Sequence, residues 1–495
     1  MATFSYTTHL PFSREKVFAW FARPGALPRL SAPYLGTIRQ EPDRGIDIGS
    51  RAVMDLAAPG TFGAGLQAAV GLGAKALHLS DRVRATVPWH ALHTELEPGT
   101  HFADIMESGP LQSWRHSHDF KDILADGGPG TVMVDTVDYE LPLLNKLPWG
   151  KPADWSEEVF GRTLSGIFEY REANLRADLE FHARYDGTAH TVAVAGASGL
   201  IGTQLCALLA GGGHRVIRLV RDPGAATDED HVYWNPETGE LDAAELREVD
   251  AVVNLAGHTI GGRFTAATKE KILDSRVTST SLLARTLATL SSDGRERALI
   301  CASAIGYYGA EPHGGAEAKP LQEGAPHGAD FLASVCSAWE VACAPARDAG
   351  VRVVNVRTGI VQSPAGGVLQ QLLPLYALGL GGPLGSKQHQ SWIGIDDMAG
   401  IYAHAVLSPA LTGPVNAVAP HPVTAAEYSA TLGRVLRRPA VIPVPAFGPR
   451  LVLGLQGARE LALADQLISC AKLEASGYVF RHSTLEPALR HVLGN

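Results

Sequence analysis

Cysteine is scarce in this chain of 495 residues: Cys206, Cys301, Cys336, Cys343 and Cys470 are far apart, and no two form a C-x-x-C pair. That points to reduced thiols in a cytoplasm and not to a disulfide framework. Charge is sparse too, at 19% of residues with a balance of −9. An acidic surface disfavours a polyanion, so no nucleic-acid partner is expected. Long apolar runs are also missing. The nearest thing to a membrane span, residues 57–79, is broken by glycines, a proline, Gln67 and Lys75, so no span is expected. No basic head followed by an apolar stretch opens the chain; no signal peptide is expected, and the location is read as cytoplasmic. The paired histidines His116 and His118 share one face of a strand, but no further ligand is placed beside them. They read as solvated or core residues, and no metal is expected.

What the chain does have is a stretch that organises the rest, TVAVAGASGLIGTQLCALL at residues 191–209. Val192 and Val194 alternate with small residues as in a strand. Gly196, Gly199 and Gly202 follow at equal spacing, and apolar residues then recur at helical intervals through Leu205, Leu208 and Leu209. Strand, glycine turn and helix form a device for holding a pyrophosphate. Glycine lets the backbone approach the phosphates, and the helix start offers free N–H groups at the positive end of its dipole. In a chain with 53 glycines a triplet alone means little, but this one has the context the motif requires.

A second strand runs from Arg215 to Val220. A site for NAD carries a carboxylate at the end of that strand for the ribose 2′-hydroxyl. Here Arg221 stands at the strand end with Arg218 just before it, and Asp222 is adjacent. A cation suits a 2′-phosphate, so NADP is expected in preference to NAD. Asp250 to Gly257, DAVVNLAG, reads as a buried strand and a small-residue turn. A helix containing Arg276 follows, then apolar strands at Ala298 to Ser303 and Val351 to Val361. Near-continuously apolar strands alternating with helices specify a parallel sheet covered on both faces.

GASGLIG, VVNLAG, ASAIGYYG and VRTGIV together resemble the extended short-chain dehydrogenase/reductase superfamily. SAIGYYG, LGLGGPLGS, SWIGIDDMAG and NAVAPHPVTAAEY look like its atypical branch of epimerase-family proteins, which carries a short C-terminal domain of unknown function. The resemblance spans about residues 190–490. It implies a Rossmann-type doubly wound parallel sheet in an α/β fold with a small C-terminal α/β extension, and an oxidoreductase or epimerase activity. Implied cofactor positions are Gly196, Ser198, Gly199, Leu200, Ile201, Gly202, Arg221, Leu255, Ala256, Gly257, Arg276, Ser303 and Arg357, with Arg218 added from the strand-end pattern.

One part of the pattern is broken. In that superfamily a tyrosine, with a lysine four residues later, gives the proton that accompanies hydride transfer to a carbonyl. No tyrosine here has lysine four positions on, and no lysine lies between Lys319 and Lys387. With Trp339-Glu340 as anchor, the tyrosine slot falls on Leu332 and the lysine slot on Cys336. Cys336 reads as core, since nothing in the sequence lowers its pKa. The usual hydroxyl after the fifth strand falls on Ala304, beside Ser303. Ser303, Tyr307 and Tyr308 are therefore the candidate catalytic residues, with Lys387 and His389 on a nearby loop. The alternative is a catalytically idle NADP-binding regulator or scaffold.

Residues 1–184 have a different pattern. A strand at Thr3 to Thr8 precedes a helix with Ser13 as N-cap, ending before Pro24. Strand-like runs follow at Arg82 to Val87, Leu92 to Glu97, Phe102 to Glu107, Ser113 to Phe120 and Thr131 to Leu141, with turns at Pro98-Gly99 and Asp126-Gly127-Gly128. A long helix from Ser156 to about Ala183 closes the unit. HLPFSREKVFAWFARPGALPRL, GPLQSWRHSHDF, DTVDYELP and FEYREANLRADL resemble the helix-grip domains of the polyketide cyclase/dehydrase and START-like (SRPBCC) superfamily. That implies an α+β domain enclosing a pocket for a small hydrophobic molecule. Division into 1–184, 190–408 and 409–495 is expected. In the last part Thr424 and Glu427 form a capping box, and strand-helix pairs are expected in 439–455 and 473–489.

Overall fold

A computed structural model describes residues 1–57, 86–125, 127–142, 153–311, 319–385, 387–444 and 447–495. The expected strand residues 82–85, Asp126 of the turn, and nearly all of the apolar stretch 57–79 lie outside the described residues. The chain divides into two compact units. One comprises Met1–Gly187, Ala210–Gly213 and His491–Asn495; the other comprises Thr188–Leu209 and His214–Arg490. Among the described residues no helix is long and apolar enough to cross a membrane.

In the first unit, β1 (Ala2–Leu10), β2 (Gly36–Gln40), β3 (Arg51–Ala57), β4 (Thr86–Glu97), β5 (His101–Ser108), β6 (Ser113–Ala125) and β7 (Gly128–Glu140) form an antiparallel sheet. Its order is β1-β7-β6-β5-β4-β3-β2. β7 alternates strictly, turning Met133, Asp135, Val137 and Tyr139 inward, as a half-buried strand must. Val137 and Tyr139 pack with Leu164 and Phe168 of the helix Ala153–His182, while Phe102, Phe120 and Met133 pack with Val17, Trp20 and Phe21 of the helix Arg14–Ala22. Arg29 and Asp178 meet in a two-pronged ion pair at 2.9 and 2.8 Å, both side chains fully buried. Ser13 stands at the expected N-cap, yet its side chain makes no cap hydrogen bond. β2 and β3 were not foreseen; they lack long β-branched runs. His116 and His118 are in the core, not in solvent.

The second unit is built on β8 (Thr191–Ala195), β9 (Arg215–Val220), β10 (His231–Asn235), β11 (Glu240–Leu241), β12 (Ala251–Asn254), β13 (Ala298–Ala304), β14 (Arg352–Thr358) and a late strand, Gly413–Ala417. All neighbours pair in parallel except β10 with β11. The order is β11-β10-β9-β8-β12-β13-β14 and then the late strand. Chain direction along the sheet reverses between β8 and β12, and ligands of such folds bind outside the carboxyl ends of the strands at that switch.

Four expectations need correction. Residues 351–361 are not one strand: β14 stays in the large sheet, while β15 (Ile360–Gln362) pairs with Trp392–Gly394. Gly359 permits the departure, since a Cβ there would lie 2.7 Å from the Ser391 carbonyl oxygen. The late strand Gly413–Ala417 pairs with β14 and completes the parallel sheet, although its sequence position falls within 409–495. Residues 439–444 form no strand, because Pro439 and Pro443 remove ladder donors. Residues 478–480 form none either; Gly477 at φ +88° ends the preceding helix, and the Asp397 carboxylate takes the N–H groups of Arg481 and His482. The capping box of Thr424 and Glu427 is present.

Candidate functional site

At the end of β8 the three glycines do different things. Gly196 has φ +79°, and a Cβ there would lie 2.9 Å from the Leu255 carbonyl carbon at the end of β12. At Gly202, inside the helix Leu200–Gly211, a Cβ would lie 2.2 Å from the Gly196 oxygen. Both are therefore required by the fold. At Gly199 a Cβ would meet, among the described residues, only the Gly196 oxygen, at 3.2 Å. That position is open to solvent, as is Ser198, and leads into the first turn of the helix with Leu200 and Ile201. The N–H groups of a first helical turn have no carbonyl one turn back, which suits them to an anion.

Next in the sheet, β9 ends at Arg221. Its side chain is exposed, and among the described residues nothing engages its guanidinium. Asp222 is occupied: its Oδ1 accepts from the Gly224 N–H at 2.9 Å, capping a short turn at Pro223–Ala225. Arg218 is half-buried within the strand, where its N–H donates to the Asp230 carbonyl. The end of β9 thus offers a free cation and a carboxylate already used.

On the other side of β8, Asn254 shapes the turn after β12. Its Oδ1 accepts from the Ala256 N–H at 3.1 Å, and its Nδ2 donates to Thr280 Oγ1 at 2.9 Å. The turn Leu255–Gly257 is thereby held against the helix Ala266–Leu290. Arg276 of that helix donates to the His258 carbonyl at 3.1 Å, and its guanidinium lies 4.9 Å over the Trp339 ring. Burial lowers its pKa. A Cβ on Gly257 would come 3.3 Å from Arg276 Cζ. The structure therefore brings Leu255, Ala256, Gly257 and Arg276 together.

The end of β13 carries a buried charged network. Arg357 is 2% exposed and grips Glu340 with two prongs, Nε to Oε1 at 2.8 Å and Nη2 to Oε2 at 2.9 Å. Its Nη1 donates to the Tyr308 hydroxyl and the Glu323 carbonyl. Ser303 donates to Glu340 Oε1 at 2.8 Å. Tyr308 is fully buried, and its hydroxyl donates to Asn416 Oδ1 at 2.7 Å; burial raises its pKa. A proton donor to a substrate needs access and a lowered pKa, and Tyr308 has neither. Tyr307 is half-buried, with the Arg357 guanidinium 3.5 Å from its ring centre. The loop is locked by Gln466, whose Nε2 donates to the Ile305 and Gly309 carbonyls, and by Asp330, which accepts from the Ala310 N–H. At the tyrosine and lysine slots, Leu332 and Cys336 are buried beside Gly306, and burial pushes the Cys336 thiol up to about 12. His389 pairs with Asp465 at 3.0 Å.

Comparison with known proteins decides what this geometry belongs to. Residues 192–416 match the NAD dependent epimerase/dehydratase family, and residues 444–492 match a domain of unknown function. The epimerase family protein Mb2239 of Mycobacterium bovis is 42% identical over 300 residues, covering 60% of this chain and 96% of the relative. The chain belongs to the epimerase family. The human epimerase family protein SDR39U1 is 36% identical over 307 residues, 61% of this chain and 99% of its own. A crystal structure of human SDR39U1 with NADPH matches at 33% identity and a TM-score of 0.54, covering 62% of this chain and 99% of that one. A nucleoside-diphosphate sugar epimerase from Corynebacterium glutamicum matches at 33% identity and a TM-score of 0.74, covering 100% of this chain and 90% of its own.

Sequence reasoning about this epimerase-family chain missed Glu340, Asn416 and Asn254. Asn254 carried a signal, as an Asx residue at a strand end ahead of small residues. Glu340 served there only as half of the Trp339-Glu340 anchor; its signal was that of an acidic residue in an apolar helix.

Proposed function

We propose that the second unit binds NADP(H) at the carboxyl ends of β8, β9 and β12 and carries out hydride chemistry on a small apolar molecule without the usual tyrosine–lysine pair. The observation that carries the cofactor choice is the pairing of a free Arg221 with an Asp222 locked onto its own turn. The NADPH in the human relative supports it. In this reading the open edge at Gly199 and the first turn with Ser198, Leu200, Ile201 and Gly202 take the diphosphate. Arg221 and Arg218 take the 2′-phosphate, and Leu255–Gly257 with Arg276 line the adenosine side. Bound there, the dinucleotide supplies or accepts the hydride.

Of the three candidate proton donors, Tyr307 is the one the geometry favours. Ser303 is committed to Glu340, and Tyr308 is buried. The Arg357 guanidinium stacked 3.5 Å over the Tyr307 ring fixes the ring's orientation and leaves the half-buried phenol placed to meet a substrate oxygen. Arg357 then supports Tyr307 from beneath and is not itself a cofactor ligand. Tyr307→Phe is expected to lower turnover by ~10²–10⁴ with NADPH affinity unchanged; unaltered turnover would remove Tyr307 from the role.

Leu332 and Cys336 in place of the tyrosine and lysine support the second reading, an NADP-binding regulator or scaffold without catalysis. Stereospecific hydride transfer from NADPH to any carbonyl substrate, followed by isotope labelling, separates the two. For the first unit, a seven-stranded sheet packed on a thirty-residue helix supports a START-like helix-grip domain that holds a hydrophobic ligand. Mass spectrometry of molecules that co-purify with the chain tests this.

A further inference from the structure

The first unit contains a polar cluster that the nucleotide site does not use. On its sheet, Asp104 of β5 stands opposite His116 of β6, and His118 of β6 stands opposite Asp135 of β7. Paired residues of antiparallel strands bring their Cβ atoms to ~5 Å, and residues two apart share a face, so four titratable side chains converge. Their neighbours Phe102, Phe120, Met133 and Val137 are the apolar residues such a face normally carries. His116, His118 and Asp135 are 6%, 2% and 1% exposed. Burying groups of this kind is unfavourable unless each finds a partner. Among the described residues they do not all find one. His116 Nε2 bonds Asp135 Oδ1 at 3.0 Å. His118 Nδ1 comes within 2.7 Å of the same oxygen without making a hydrogen bond. His116 Nδ1 stops 3.8 Å from Asp104 Oδ1, beyond hydrogen-bond reach. His93, opposite Asp104 on β4, has a buried Nδ1 with no hydrogen-bond partner.

We propose that Asp104, His116 and His118 bind a divalent first-row transition-metal ion. One ligand atom from each lies within 4.8 Å of the others, so small side-chain rotations bring all three to the ~2.0–2.2 Å of metal bonds. Asp135 at the Nε2 of His116 matches the outer-shell carboxylate that fixes a ligating imidazole's tautomer and orientation. The charge balance agrees. With neutral imidazoles, as ligands must be, the two carboxylates outweigh the guanidinium of Arg171 that they attract among the described residues. Imidazole and carboxylate donors suit Zn²⁺ and Fe²⁺, and three protein ligands leave a coordination position free. The sequence showed the two histidines; only strand pairing supplies the carboxylates.

The test is calorimetry on the full chain, stripped with a chelator and titrated separately with Zn²⁺ and, under argon, with Fe²⁺. At least one of the two is expected to bind at one ion per chain. Affinity is expected to fall at least ~100-fold in His118→Ala, and ~10- to 100-fold in Asp135→Asn. Asp104→Asn keeps the packing and must also weaken binding at least ~10-fold, with thermal melting confirming that each variant folds. Failure of both metals to bind, or binding that His118→Ala and Asp104→Asn leave intact, overturns the proposal.

Discussion

Replacing Arg221 with alanine isolates the interaction that sets cofactor choice. The side chain is exposed at the end of β9 and unengaged among the described residues, so its removal leaves no buried group unsatisfied and stability changes by less than ~0.5 kcal/mol. What is lost is a charge-assisted contact to a 2′-phosphate, worth ~1.5–3 kcal/mol. That corresponds to a ~10- to 150-fold weaker NADPH affinity, nearer the lower figure because solvent screens an exposed cation. NADH lacks that phosphate, so its affinity changes less than ~3-fold. The neighbouring carboxylate does not rescue NADH, because Asp222 Oδ1 is held by the Gly224 N–H. Isothermal titration with both cofactors at low and high salt reads the effect, and the difference between them shrinks as salt rises. Equal losses for NADPH and NADH, or no loss for either, would refute the assignment of Arg221 to the 2′-phosphate.

Three further outcomes follow from buried titratable groups. Asp178→Ala leaves the Arg29 guanidinium buried without its carboxylate and is expected to destabilise the first unit by ~3–5 kcal/mol, read by calorimetry of the full chain; a loss under ~1 kcal/mol contradicts the ion pair's burial. His404 is 3% exposed, and burial pushes its imidazole down to about 4 from its ordinary 6.5. The unfolded chain therefore takes up the proton first. The stability this group contributes is complete above ~pH 6.5 and is lost as pH falls toward 4, by up to ~3 kcal/mol. In His404→Gln the acid-side decline of the second unit is expected to flatten by that amount relative to the parent. Asp397 of the same helix, pushed up to about 6 by burial, acts oppositely: its contribution is complete below ~pH 4 and is lost as pH rises through 6. Asp397→Asn should accordingly steepen the decline, and an unchanged pH profile in both variants contradicts the two environments.

Much of the second unit was legible because its information is local. β8, β12 and β13 read as short apolar runs, the glycine turn announced itself by spacing, and Thr424 with Glu427 spelled out a helix start three residues apart. What was not legible depends on contacts distant in sequence. Glu340 finds Arg357 across a helix and a strand, and Asn416 finds Tyr308 across 108 residues; neither pairing has a periodicity to betray it. The Val351–Val361 run broke at Gly359 because the reason lies in Ser391 and Val418, which crowd that backbone. In 439–444, apolar character misled where the prolines should have prevailed. The convergence of Asp104 and Asp135 on two histidines needed the register of three strands, which alternation alone does not supply.

The central claim is that a dinucleotide's diphosphate lies on the open edge of the glycine turn, and Gly199 tests it most directly. Among the described residues a Cβ there meets only the Gly196 oxygen, at 3.2 Å, whereas a larger side chain would occupy the space given to the phosphates. NADPH titrated into the parent should bind one per chain. Into Gly199→Val it should show no measurable binding while thermal melting stays cooperative. NADPH bound equally well by Gly199→Val, or by neither protein, would contradict it.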